Sequence, residues 1–332
     1  MDQKKTSKNP VITVRQDSER TIWAVGGGKG GTGKSFVSAN LAVYLSKKNR
    51  GVTLIDADLG GANLHTFLGL KKSDLDLGDF LTKKVPSLKD VAVPTAFNKL
   101  RLVKGSDNLL FSANLNYFKK LKLIRHIKAF DSDIIIVDIG TGSTYNSIDF
   151  FLLSNPGILV INPEPTSIEN AYYFLKSCII RLLKLYIDHY QIQDLIKKVT
   201  EQINDNSKSV YNFLSETISQ DKYYADLLYR ALKKFRPSLI INKARHEKDY
   251  MLGESISNVV QKILVIDLDY LGAIPFNEIV HQSVKDLTPF INKYPDTDVG
   301  KAIISIASKL TAKEKNNIKT QGKKIKDSHS YT

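Results

Sequence analysis

The stretch "TIWAVGGGKGGTGKS", residues 21–35, decides the fold of this chain. A strand-like apolar run ends at Val25. The ten positions from Gly26 to Ser35 then hold six glycines and two lysines, ahead of a helix-like pattern. Glycine loses more backbone freedom on folding than any other residue, so this density marks a path that side chains would block. A ligand that approaches the backbone closely at the mouth of a strand explains it.

Two ligand chemistries use such a loop. Gly28, Gly30 and Gly33 satisfy G-x-G-x-x-G, the dinucleotide fingerprint, with Asp56 placed where a ribose would be held. Gly28 to Ser35 also satisfies G-x-x-x-x-G-K-[ST], the phosphate-binding P-loop. Lys34 and Ser35 separate the two, because an ammonium on the β and γ phosphates and a hydroxyl on Mg2+ serve a triphosphate. "DIIIVD" adds a distant acidic strand end at Asp138, the oxygen ligand that a magnesium shell needs.

Outward from the loop, "RTIWAV", "GVTLIDAD", "LRLVKG", "DIIIVDIG", "GILVINPE", "SLIINKA" and "DYLGAIP" read as strands separated by amphipathic segments. That rhythm predicts an α/β fold: a doubly wound, mostly parallel sheet with helices on both faces. It breaks twice. Residues 166–237 hold no convincing strand, which predicts a helical insertion of three or four helices, a subdomain or a partner-docking surface. The lysine-rich end predicts a basic tail without structure. The expected organisation is a flexible segment 1–19, a P-loop core in two parts at 20–165 and 238–312, the insertion at 166–237, and the tail at 313–332.

With 332 residues, 42% hydrophobic and 25% charged, the chain suits a globular protein. The single cysteine, Cys178, excludes an internal disulfide framework and a cysteine-based metal site within one chain. No apolar run approaches the roughly 18 residues of a membrane span, so the sequence reads as cytoplasmic. The net charge of +14 suits either attraction to anionic lipid or nucleic acid, or a solvated lysine-rich surface.

"KGGTGKS", with its additional Lys29, resembles the deviant Walker A motif of the MinD/ParA ATPases, and the likeness extends over about residues 20–165 and 238–310. "DADLGGANLHTFLG" is most similar to the version in the FlhG branch of MinD-like proteins. The resemblance implies ATP and Mg2+ as cofactors, held by Gly28, Lys29, Gly30, Gly31, Thr32, Gly33, Lys34, Ser35 and Phe36. It implies that Lys29 reaches the partner's phosphates across an ATP-dependent homodimer, and that Asp58 orients or activates the attacking water. Ser35, Asp56 and Asp138 would surround the metal, Asn242 would contact adenine, and Pro275 would wall the base pocket. The residues keep two alternatives open: Asp56 as a carboxylate capping its loop, and Asn242 as a loop residue bonded to backbone. Phe36 stands where many relatives carry a second hydroxyl, and the partner-activating "DQAxxLR" motif of some FlhG proteins is not recognisable.

The function so implied is a slow, partner-stimulated Mg-dependent ATPase of MinD/FlhG type. Its ATP-driven dimerisation would switch the positioning or regulation of an assembly such as the flagellum or division apparatus, with peripheral contact at the inner membrane face or cell pole. A ParA-like DNA-binding partition ATPase is the alternative, and a nucleotide sensor with negligible turnover is a further reading. The iron–sulfur carriers of the Mrp branch generally use a C-x-x-C pair, which this chain lacks. Two helical patterns also bear on partners. Val299, Ile303, Ile306 and Leu310 share one face, as in an interfacial membrane helix or a final core helix; without Trp or Phe, core packing is favoured. Tyr172, Tyr173, Phe174, Tyr186 and Tyr190 suit either a recognition surface or the core.

Overall fold

The computed structural model describes residues 21–58, 61–70, 75–106, 115, 117–190, 210–220 and 222–328, with side chains excepted at 213, 217–220 and 315–328. The segment 1–19 and the last four residues lie outside the described residues. All seven apolar runs form strands: β1 (Thr21–Gly26), β2 (Val52–Ala57), β4 (Leu100–Val103), β5 (Ile134–Ile139), β6 (Gly157–Ile161), β7 (Ser238–Ala244) and β8 (Asp269–Pro275). An eighth, β3 (Ala92–Pro94), pairs antiparallel with β4 at the sheet edge, where Pro94 is tolerated because no further strand needs its missing N–H. The order is β3-β4-β2-β5-β1-β6-β7-β8, and every pair except β3–β4 is parallel.

Strand side chains alternate between two cores. Trp23 and Val25 point to one, shared with α1 (Lys34–Lys47), α11 (Phe290–Lys293) and α12 (Asp298–Ser328). Ile22 and Ala24 point to the other, covered by α4 (Tyr117–Lys128), α5 (Tyr145–Leu153), α6 (Pro165–Tyr190), α7 (Val210–Gln220), α8 (Lys222–Lys234) and α9 (Glu247–Leu264). Between them in chain order lie α2 (Leu64–Phe67) and α3 (Leu77–Leu81), and α10 (Ile279–Lys285) follows β8.

The insertion supplies α6, α7 and α8, and its buried Leu182, Val210, Leu228 and Leu232 join the same core as Ile22 and Ala24. Its apolar face is therefore continuous with that core. Its aromatics divide. Phe174 is fully buried edge-on against Phe151, while Tyr173 and Tyr190 are exposed. At its root, buried Asp149 of α5 accepts from Lys120 of α4 and, at 2.8 Å, from Arg181 Nε of α6, so one carboxylate ties three helices. Such a pair contributes little net stability once desolvation is counted, but leaving one charge alone in the interior is costly.

The end of the chain departs from expectation. α12 is continuous to Ser328, past residue 312 where an unstructured tail was expected. Its first half is anchored: Val299, Ile303, Ile306 and Leu310 are at most 1% exposed, against α1 and β8, which settles the amphipathic face as core. Lys313 pairs with Asp269 at 2.7 Å, and Glu314 accepts from Arg50 at 2.8 Å and from Thr21 Oγ1 at 2.9 Å. Once a first half is nucleated, lysine, glutamate and glutamine propagate a helix without a core. Leu310→Ala is expected to destabilise the protein by about 2–5 kcal/mol, read as a lower urea midpoint. An unchanged midpoint would mean that this face is not packed.

Candidate active site

Strand register builds the site. β1 places Val25 opposite Asp138 of β5, and β2 places Asp56 opposite the same residue, so two carboxylates stand side by side where the glycine loop leaves β1. Both are about 1% exposed. Burial, then the charge of Asp138, pushes the Asp56 carboxyl up to about 8. Burial likewise raises Asp138 to about 6, opposed by hydrogen bonds from Ser35 and Ser38 and by the Lys34 charge.

The two acids of "DAD" do different work. Both oxygens of Asp56 accept backbone N–H groups, from Asp58 at 3.2 Å and Leu64 at 3.1 Å, so Asp56 caps the loop that follows β2. Asp58 lines the cleft. A Cβ built at Gly140, in the loop after β5, would stand 2.9 Å from its Oδ1.

The glycine loop is shaped by its neighbours. At Gly28 a Cβ would fall 2.1 Å from the Asn170 carbonyl oxygen of α6, so the insertion's first helix presses directly on the loop. Gly33 has φ 94° and caps α1, whose first turn holds no acidic residue. That leaves the positive end of α1 open to an anion. Lys34 lies 6% exposed at the start of α1, with Nζ 3.4 Å from the Lys29 carbonyl. Burial lowers its pKa, while Asp138 and Asp58 pull it back up. Ser38, one turn along α1 and missed by motif reading, donates to Asp138 Oδ1 at 3.0 Å.

The expected second-hydroxyl position is filled by Phe36, 6% exposed and edge-on to Phe290 at 6.0 Å, which makes it part of the cleft floor. Lys29 does not point at the loop centre. Its ammonium lies 2.9 Å from Thr166 Oγ1 and 3.3 Å from Glu164 Oε2, at the start of α6. Pro275 lines the cleft beside Ile274 and Phe276. The Arg245 guanidinium stacks on Phe276, 3.5 Å from the ring centroid, a pairing that no motif marks.

The cleft holds about 340 Å3, within the usual range for small-ligand pockets, and Gly31, Gly33, Lys34, Ser35, Asp58 and Asn242 converge on it. These residues fit a magnesium nucleotide on two observations. Thr32 Oγ1, in the loop two positions before α1 begins, is a buried polar atom without a hydrogen-bond partner. Asp138 and Asp58 act on the buried Lys34 ammonium, and the Ser35 hydroxyl bonds Asp138, which sets oxygen donors beside a lysine at the head of α1. One or two such oxygens together with phosphate oxygens are the donor set that a hard Mg2+ ion takes.

Residues 23–290 match the CobQ/CobB/MinD/ParA nucleotide binding domain. The chain is 26% identical to the antiactivator FleN of Pseudomonas aeruginosa over 292 residues, covering 87% of this chain and 85% of that one. It is 30% identical to the flagellum site-determining protein YlxH of Helicobacter pylori over 179 residues, 51% and 57% of the two chains. Among solved structures it shares its fold with the septum site-determining protein MinD complexed with Mg-ADP from Pyrococcus horikoshii, at TM-score 0.60 and 21% identity, covering 88% and 96%. No helix among the described residues is long and apolar enough to cross a membrane. With a P-loop at the head of α1, acids in register behind it and a domain match over most of its length, the chain belongs to the CobQ/CobB/MinD/ParA nucleotide-binding family.

Proposed function

We propose that this protein is a magnesium-dependent ATPase that dimerises on ATP and switches the positioning or regulation of a larger cellular assembly. The observation that carries this reading is the convergence of Lys34, Ser35, Asp58 and Asp138 on one glycine loop. In it Lys34 and the loop N–H groups hold the β and γ phosphates, and Ser35 takes the metal with Asp138 behind it. A magnesium ion held there would supply neutralisation of the phosphate charge. Asp58 positions the attacking water, and the wall of Ile274, Pro275 and Phe276 takes the base.

Calorimetry and phosphate release test the reading directly. The protein is expected to bind ATP with Mg2+ and to hydrolyse it slowly, and EDTA is expected to abolish turnover. Well-folded protein that takes up no adenine nucleotide in the presence of Mg2+ would overturn it.

The dimer switch rests on Lys29. Its ion pair with Glu164 joins two side chains that are 40% and 55% exposed, so releasing the lysine towards a partner costs little. Lys29→Met is expected to bind Mg·ATP within a few-fold of the parent and to remain monomeric, read by light scattering on a hydrolysis-blocked background. ATP-driven dimers in that variant would remove Lys29 from the switch.

The assembly is proposed from two relatives, an antiactivator and a flagellum site-determining protein. The docking element proposed for its protein partner is the helical insertion, with Tyr211 and Tyr223 exposed on α7 and α8. Co-sedimentation with anionic vesicles and with DNA, with and without ATP, separates a positional switch from a partition ATPase. Salt-sensitive, ATP-dependent DNA binding without vesicle binding would favour the latter.

A further inference from the structure

β7 ends in two residues that hold the glycine loop from outside. Asn242, only 5% exposed, donates Nδ2–H to the Thr32 carbonyl at 2.8 Å, and its Oδ1 accepts the Lys243 N–H at 2.9 Å. Its amide lies so close that a Cβ at Gly33 would stand 2.1 Å from Nδ2. Lys243 reaches the same loop, with Nζ 2.9 Å from the Gly31 carbonyl. The β7–β8 ladder shifts register between Asn242 and Ala244, and Lys243 sits there at φ 60°. An irregularity of this kind re-aims a side chain, and left-handed backbone in a lysine persists only where the surroundings hold it.

These contacts set the direction of two peptides. In a trans peptide the carbonyl and the N–H point to opposite sides. Tying the Gly31 and Thr32 carbonyls towards β7 therefore turns the N–H groups of Thr32 and Gly33 away from it. We propose that Asn242 and Lys243 form a brace that pre-sets these two peptides for phosphate binding. A loop with this many glycines is otherwise costly to order when ligand arrives, and pre-ordering lowers that cost. The inference rests on the nucleotide reading above and deepens it at one residue: the loss of Asn242 weakens any polyphosphate and not adenine alone. Both are positioning residues, since their contacts are to the loop.

Two measurements test the brace. Hydrogen exchange of residues 27–36 in the ligand-free protein needs no nucleotide at all. Lys243→Met is expected to exchange faster there, with an unchanged melting temperature because Lys243 is exposed, and Lys243→Arg to restore protection. Calorimetric titration with magnesium tripolyphosphate and with Mg·ATP is expected to show about tenfold weaker binding of both probes in Lys243→Met and in Asn242→Ala. Loop exchange and tripolyphosphate affinity equal to wild type in Lys243→Met would overturn the brace. So would an Asn242→Ala protein that loses ATP affinity but keeps tripolyphosphate affinity, since that is the signature of a base reader. Wild-type protein that binds neither probe would overturn the nucleotide reading instead, and the exchange comparison would still decide the brace.

Discussion

Lys34→Ala is expected to weaken Mg·ATP binding by about a hundredfold or more and to bring turnover below detection. Lys34 is the ammonium that the fold keeps 6% exposed at the head of α1, and burial alone disfavours its charge. Asp138 and Asp58 hold the charge in place before any ligand arrives. A triphosphate brings a much larger negative charge to the same point, so the lysine's contribution is greater with ligand than without. Its removal therefore falls mainly on binding. A hundredfold loss corresponds to about 2.7 kcal/mol, within reach of one charge-assisted contact in a partly desolvated cleft. Lys34→Arg is not expected to restore affinity, because a planar fork does not replace a compact ammonium in a closed loop. Calorimetry on protein with an unchanged circular dichroism spectrum checks this. Affinity within about threefold of the parent would move the phosphates elsewhere.

The glycine-loop end of the cleft was legible in the sequence because its residues are local. Loop, lysine and hydroxyl fall within eight consecutive positions, and the acids end apolar runs whose alternation already identified them as strands. Asp56 and Asp138 are 82 residues apart in sequence, yet parallel register brings them opposite one another without further information. What escaped depends on which distant side chain fills a space. Ser38 carries no motif, and its bond to Asp138 follows from helical spacing once Lys34 is placed. Asn242 stood open between a base contact and a bond to backbone, and its amide meets the backbone of Thr32, a carbonyl 210 residues away that no local pattern could name. Asp149 has no signature of its own; α4 and α6 must be docked before Lys120 and Arg181 reach it. The extent of α12 was misjudged for a related reason. A polar run looks unable to fold until Lys313 and Glu314 find Asp269, Arg50 and Thr21.

Asp58→Asn is expected to slow hydrolysis by about 10²–10⁴-fold, the range for losing a positioned general base, while leaving Mg·ATP affinity within a few-fold and ATP-driven dimers intact. The geometry separates this residue from its neighbour. Asp58 lies just beyond β2, lines the cleft, and raises the Lys34 pKa by its charge, so its carboxylate faces the region proposed for the terminal phosphate. Asp56, two positions earlier, spends both oxygens on the N–H groups of Asp58 and Leu64. An asparagine at 58 keeps the shape and removes the charge that draws a proton from water. At 56 the same change replaces one acceptor oxygen with a donor group facing an N–H, and a buried unsatisfied pair costs about 1–3 kcal/mol. Asp56→Asn is therefore expected to lower the melting temperature together with activity, whereas Asp58→Asn lowers activity alone. Single-turnover phosphate release and thermal melts on the two variants read this contrast. An Asp58→Asn protein that turns over at the parental rate would assign water activation to another group.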